Sequence, residues 1–312
     1  MSFAAVVLAH ADPVHLHRLV DALEDVPVVL QCDATTSEEV FGAMAAGLPS
    51  RVTIGRRIPM WLASWSLVKA ELAGLQIALA ASDAEHIGVL SGADYPLVSM
   101  PELRAELSSW RGRSWLYNAP VPHQPWSTPR HPDGGLWRVR YRYLNVHDRL
   151  RYLGRFPVRS VLPRRIPADL ELRAGSQWKI YSRQDAQTLL AVVASRPDLV
   201  RFWRSTLVPD EGFAASVLAS PKVTGREPLA PCGTHPWFFA WEATTSDHPE
   251  WLRTEDLPAI RAAQRQPRAD PNASPNSSVH TDWMSNRKLF ARKFRTGPSD
   301  ELLDALDTDR SG

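Results

Sequence analysis

The chain has 312 residues, 44% of them hydrophobic, enough to bury a large core as one sizeable domain or two modest ones. A formal net charge of +2 dictates no acidic or basic partner, and the basicity is carried by arginine, because the only lysines are Lys69, Lys179, Lys222, Lys288 and Lys293. Two cysteines, Cys32 and Cys232, make no disulfide framework; the apolar run Phe3–Ala9 is too short and lacks the basic flank of a signal segment; and no run approaches membrane-spanning length, so a soluble, cytoplasmic protein is expected.

Phe3 to Leu8 is a continuous apolar run and reads as a buried strand. A helix is expected from Pro13 to Glu24, with Leu16, Leu19, Val20 and Leu23 on one face. Val28–Gln31 is a second strand ending at Cys32-Asp33, and Arg51–Ile54 a third. Ser64 to Ala81 carries helical periodicity through Leu67, Val68, Leu72 and Leu75. His86–Leu90 is a fourth strand, broken by Ser91-Gly92-Ala93-Asp94-Tyr95-Pro96. A helix from Met100 to Trp110 and a strand from Ser114 to Asn118 follow. Strands alternating with helices predict a mostly parallel sheet flanked by helices, whose ligands sit at the carboxyl ends of the strands. Asp33 and Asp94 both fall on that rim.

From Ala119 to Gly135 the chain is rich in Pro, His and Gly and reads as loop. Between Leu136 and Arg165 lie nine arginines (138, 140, 142, 149, 151, 155, 159, 164 and 165) against one acid, Asp148, with the alternating segment Leu136–Tyr143 at its start. Such a stretch suits a nucleic-acid backbone, a diphosphate, a polyanionic acceptor, a membrane surface, or simply a solvated edge hairpin. The near-neutral charge of the whole chain weighs against nucleic acid.

Ala174 to Ser182 reads as a strand, Ser182 to Ala194 as a helix, and Pro209-Asp210-Glu211 as the opening of another helix. There the positive end of a helix dipole would favour a carboxylate. Lys222–Thr224 suggests an edge strand. In His235–Trp241 the expectation is core for Phe238 and Phe239, with Trp237 or Trp241 free to face a cleft and stack on a sugar. Residues 262–286 read as a loop insertion, Pro298–Leu306 as a short helix, and 296–312 as a frayed acidic tail.

No phosphate-binding glycine loop, dinucleotide fingerprint, nucleophile elbow or HExxH pair is present. Cys232-Gly-Thr-His235 lacks partners at zinc spacing, and the lone Asp-x-Asp, Asp307-Thr-Asp309, follows no predicted strand.

Several motifs recur together in order: Ala9-His10-Ala11-Asp12-Pro13, Cys32-Asp33, Leu90-Ser-Gly-Ala-Asp-Tyr-Pro-Leu97, Gly175-Ser-Gln-Trp178, Pro209-Asp-Glu211 and Leu289-Phe-Ala-Arg-Lys-Phe294. This set resembles the branching-enzyme family of glycosyltransferases, family 14, which includes core-2/I-branching β-1,6-N-acetylglucosaminyltransferases and protein xylosyltransferases. The resemblance spans Phe3 to Phe294. It implies a GT-A-like α/β domain over 1–295, with a nucleotide-binding half (1–118) and an acceptor half (119–295). It also implies inverting transfer from a UDP-sugar to a carbohydrate or glycosylated small molecule, with no metal cofactor. Glu211 maps onto the general base. His10, Asp33, Asp94, Arg253, Arg292 and Lys293 map toward the donor, and Trp178, Asp210, Trp237 and Trp241 toward the acceptor. Two departures stand out: Asp33 is followed by Ala-Thr-Thr-Ser where a lysine is common, and Glu250 stands where a second cation meets the diphosphate. They leave an inactive sugar- or nucleotide-binding protein on the same scaffold as the alternative.

Overall fold

The computed structural model describes residues 1–241, 248–272 and 285–311. Its main sheet has five strands in the order Lys179–Ser182, His86–Ser91, Phe3–Ala9, Val28–Cys32 and Val52–Ile54. The last four run parallel, and Lys179–Ser182 lies antiparallel against His86–Ser91. Every residue of Phe3–Ala9 is buried, as its unbroken apolar sequence requires of a central strand covered on both faces. Alternate side chains serve the two layers. Val6 and Leu8 pack with Val68, Leu72 and Leu75 of the helix Trp65–Ala81. Ala5 and Val7 pack with Leu16 and Leu19 of the helix Pro13–Ala22 and with Leu103 of the helix Met100–Leu107. The protein is thus a single α/β domain with a mostly parallel, helix-flanked sheet, the class expected.

A smaller sheet stands at the carboxyl ends of these strands, in the order Trp237–Phe239, Phe290–Arg292, Asp94–Pro96. Its register sets Arg292 between Phe239 and Asp94. The break predicted after the fourth strand is therefore itself partly strand, because Asp94–Pro96 finds a partner near the end of the chain.

Several local expectations are corrected. Ala174–Ser182 is two strands, Arg173–Gly175 and Lys179–Ser182, separated by a loop through Ser176, Gln177 and Trp178. Pro209–Glu211 is one turn of 3-10 helix, and the α-helix beyond it spans only Phe213–Leu218. Leu136–Arg140 is a short helix, not an alternating strand. Trp115 makes only an isolated bridge to Ile180, and regular pairing begins at Asn118. The expected edge strand at Lys222–Thr224 is a helical turn, Pro221–Thr224, opened by a proline and closed by Gly225 at φ +67°. The helix Glu38–Ala45 was not foreseen, although Ser37 caps it and Glu38 and Glu39 fill its first turn.

The acidic tail is not frayed. A helix runs Asp300–Ser311, burying Leu302, Leu303 and Leu306, and Arg18 ties it down through Asp304 at 2.7 Å and Asp307 at 2.6 Å. Of the expected insertion 262–286, residues 273–284 lie outside the described residues. Its start belongs to the helix Leu257–Gln264, and Asn286 is buried and hydrogen-bonded to His235.

Candidate active site

The carboxyl ends of the central strands form a rim. His10 follows the strand Phe3–Ala9 and is exposed; Asp33 follows Val28–Cys32 and is buried. The Oδ1 of Asp33 accepts from the backbone N–H groups of Thr35, at 2.8 Å, and Met60, at 3.0 Å. Beside His10 lies a cavity of about 220 Å³, lined also by Asp12, Gly92, Ala93, Trp251 and Arg295 among others. Next to that wall, Lys293 sets its ammonium 4.5 Å from the ring centre of Trp251, and the Arg295 guanidinium lies 5.0 Å from the same centre. Burial, and then the nearby Arg292, push the Lys293 ammonium down from its ordinary value, with Glu250 opposing. Lys293 and Arg295 thus cluster positive charge around one indole ring.

Asp94 and Arg292 serve this cluster differently from what their position on the rim suggests. Asp94 is fully buried, and its carboxylate accepts from Arg292 at 2.8 Å, from the Ser91 backbone N–H at 2.9 Å and from Trp237 Nε1 at 2.9 Å. Burial raises its carboxyl above the ordinary value against the pull of these three donors. Its hydrogen-bonding capacity is spent inside the protein, so the expected donor contact is replaced by a role in holding Arg292. The Arg292 guanidinium in turn stacks 4.1 Å from the ring centre of Trp178. Trp237 has no exposed surface and packs on Phe290, so it lines no cleft. Trp241 is 44% exposed, and Arg253 is exposed.

The Pro209–Glu211 turn is held from beneath by a buried charge network. Lys179 Nζ donates to Glu71 Oε2 at 3.0 Å and to the backbone carbonyl of Asp210 at 3.2 Å. Tyr181 OH donates to Glu71 Oε1 at 2.5 Å. Both charged side chains are about 3% exposed. Gly175 supports the turn from the side: a Cβ there would sit 2.7 Å from the Glu211 carbonyl oxygen, so no larger residue fits. Asp210 is buried rather than facing an acceptor. Burial and then the adjacent Glu211 push its carboxyl up to about 7.

The Glu211 side chain is 34% exposed, and Arg138 donates to its Oε2 at 2.6 Å. The Arg138 guanidinium lies 3.9 Å from the ring centre of Trp126. A small void of about 10 Å³, lined by Trp126, Arg138, Val208 and Gly212 among others but not by Glu211, lies next to Arg138. It is lined by different residues from the rim cavity. The two regions are joined by one loop: Gly175 and Lys179 at its ends hold the turn of Glu211, and Trp178 within it carries Arg292.

Sequence reasoning missed four participants. Glu71 was visible as a lone acid in an otherwise apolar stretch of a predicted helix, and Lys179 as a lysine in a predicted strand. Arg138 was one of nine arginines with nothing to single it out, and Trp251 had no local signal, although Lys293, one of the two cations stacked on it, was picked out by its motif. Among the described residues, no group of three or more His, Cys, Asp or Glu side chains is disposed to hold a metal ion.

A sequence model of the core-2/I-branching enzyme family matches residues 27–259, a span that includes Asp33 and Glu211 and stops short of Lys293. The chain is also similar to the β-1,3-galactosyl-O-glycosyl-glycoprotein β-1,6-N-acetylglucosaminyltransferase 3 of Bos taurus, at 25% identity over 197 residues. It is 24% identical over 197 residues to the corresponding enzyme of bovine herpesvirus 4 (strain LVR140). Each alignment covers 63% of this chain and 41% of the relative, so the chain spans well under half the length of the curated relatives it matches.

Proposed function

The chain belongs to the core-2/I-branching enzyme family of glycosyltransferases, and from that premise we propose that it transfers a sugar from a UDP donor to an acceptor hydroxyl, with inversion, without a divalent metal and with Glu211 as general base. The two relatives named above are β-1,6-N-acetylglucosaminyltransferases, which makes N-acetylglucosamine the first donor sugar to test and xylose the second.

Inversion is a single in-line displacement at the anomeric carbon. A carboxylate on the far side from the leaving group takes the acceptor proton as the new bond forms. Arg138 engages Oε2 of Glu211, which fixes the orientation of the group, and Oε1 is then the oxygen that receives the proton. Negative charge builds on the departing UDP, and fixed cations offset it without the reorganisation that water would need. Lys293 supplies the direct contact, with Arg295 beside it on Trp251. Arg292, spent on Asp94 and Trp178, shapes the wall. Arg295 is thus the candidate for the cation whose usual place is taken by Glu250.

The observation that carries this reading is the Gly175–Lys179 loop, which grips the base-bearing turn at its ends and the cationic strand at its middle. A loop of that kind sets the distance between base and leaving group, the quantity an in-line displacement depends on. The test is UDP release from UDP-N-acetylglucosamine and UDP-xylose across a panel of sugar acceptors, with and without excess EDTA. Acceptor-dependent release that EDTA leaves intact is the expected result. Strict manganese dependence refutes the metal-free scheme. UDP binding without turnover on any acceptor assigns the chain to the inactive sugar-nucleotide binders instead.

A further inference from the structure

The arginine-rich segment has a surface that sugar transfer does not explain. Of ten strongly exposed large hydrophobic side chains among the described residues, six fall within 19 positions: Leu144, Tyr152, Leu153, Phe156, Val161 and Leu162. Val161 is 92% exposed and Leu153 is 79% exposed. The segment folds as short paired strands, Asn145–Val146 with Arg149–Leu150 and Tyr152–Leu153 with Phe156–Pro157. Leu153 stands directly across from Phe156, and cross-strand partners share a face. Leu153 and Phe156 are therefore displayed together, and Leu144, Tyr152, Val161 and Leu162 stand exposed on the same short segment, a concentration that soluble surfaces avoid unless something covers it.

Charge narrows what that cover is. Arg142, Arg151, Arg155 and Arg165 are exposed among these side chains and take part in none of the ion pairs of the described residues. The segment's one acid, Asp148, is neutralised from outside by Arg204 at 2.7 Å and Lys69 at 3.4 Å. Large apolar tips interspersed with uncompensated arginines fit the boundary of a bilayer, where the tips enter the acyl region and the guanidinium groups meet anionic headgroups. A nucleic acid would use the arginines and leave Leu153, Val161 and Leu162 uncovered.

The segment is rooted beside the proposed base. Tyr143 and Leu150 pack with Leu207, Tyr143 N–H donates to the Ser205 carbonyl at 2.9 Å, and Arg138, at the start of the segment, holds Glu211. We propose that the 144–162 segment docks the protein on anionic phospholipid bilayers. The docking stands independently of which sugar is moved, or whether any is.

The test is co-sedimentation of the full chain with vesicles of phosphatidylcholine alone and with about a quarter phosphatidylglycerol. Binding is expected to the anionic vesicles, weakening at high salt as headgroup charges are screened. Leu153→Ser together with Phe156→Ser should lower the partition coefficient about tenfold or more, since each forfeits apolar burial. Arg151→Gln together with Arg155→Gln should lower it about thirtyfold at low salt, at ~1 kcal/mol per basic residue near the surface. All four side chains are exposed, so unchanged melting temperatures are expected and serve as the folding control. The proposal is overturned if the unaltered protein stays in the supernatant with anionic vesicles, or if the serine pair binds them as tightly as the parent. It is equally overturned if the serine pair merely dissolves a dimer seen by sedimentation velocity, or if an oligonucleotide binds through the arginines and the vesicles do not.

Discussion

Replacing Lys179 with methionine tests whether the buried network under the base is a positioning device. The change keeps the length of the side chain and removes its charge. It leaves the Glu71 carboxylate about 3% exposed, with only the Tyr181 hydroxyl as a strong partner, and it removes the bond to the Asp210 carbonyl. Breaking one side of a buried ion pair costs about 3–5 kcal/mol, most of it the penalty of the stranded charge. Total stability for a domain is about 5–15 kcal/mol, so the variant should fold but with a much reduced margin. Urea unfolding followed by fluorescence is a suitable assay, with 12 tryptophans in the chain. The decisive comparison is with Glu71→Gln added. The amide keeps an acceptor for Tyr181 and removes the stranded charge, so the double variant should recover ~2 kcal/mol or more of the loss. In turnover, both variants should lower kcat with UDP affinity unchanged, because Lys179 supports the turn of Glu211 and does not line the rim cavity. A loss under ~1 kcal/mol for Lys179→Met, or a double variant no better than the sum of the two single losses, refutes the argument.

Other outcomes follow from the site. Glu211→Gln should reduce kcat by about 10²–10⁴-fold with UDP binding preserved, measured by UDP release and calorimetry; activity within a few-fold of the parent removes Glu211 as base. Lys293→Ala should weaken UDP binding by roughly tenfold or more, the worth of a hydrogen bond to a charged group, and unchanged calorimetric affinity would exclude the contact. Asp210 makes stability depend on pH in a calculable direction. Its folded value of about 7 lies above the ordinary 3.8, so its contribution is fullest in acid and declines as pH rises through the folded value. Asp210→Asn should therefore gain on the parent by roughly 2 kcal/mol between about pH 5.5 and about pH 8.5, read as the difference in unfolding free energy. A gap that does not widen with pH would show that the carboxyl titrates normally.

The layered sheet was legible because its strands are either unbroken apolar runs or end in turn residues, and because Trp65–Ala81 is a seventeen-residue stretch rich in Leu and Ala, apolar on most of its sides. Failures occur where the partner is remote in sequence. Asp94–Pro96 looks like loop until Phe290–Arg292, nearly two hundred residues later, supplies its hydrogen bonds. Trp237 looked available to a sugar until Asp94 claimed its indole N–H. Leu136–Tyr143 alternates like a strand, yet Gly135 at φ +89° starts a helix there, and Arg138 turns toward Glu211.

The same distinction explains why the proposed base was recognisable while its surroundings were not. Pro209-Asp-Glu211 is a local motif, and the expected reason for its usefulness was the dipole of the helix it opened. That helix proves to begin two residues later and to be six residues long, which leaves little dipole to act on Glu211. The stabilising charge comes instead from Arg138, seventy-three positions upstream, and the anchor from Lys179 and Glu71 on two other elements. A carboxylate held this way depends on tertiary structure throughout. Its geometry is therefore expected to be lost at lower denaturant than the five-stranded core, and loss of turnover should precede the main unfolding transition in urea.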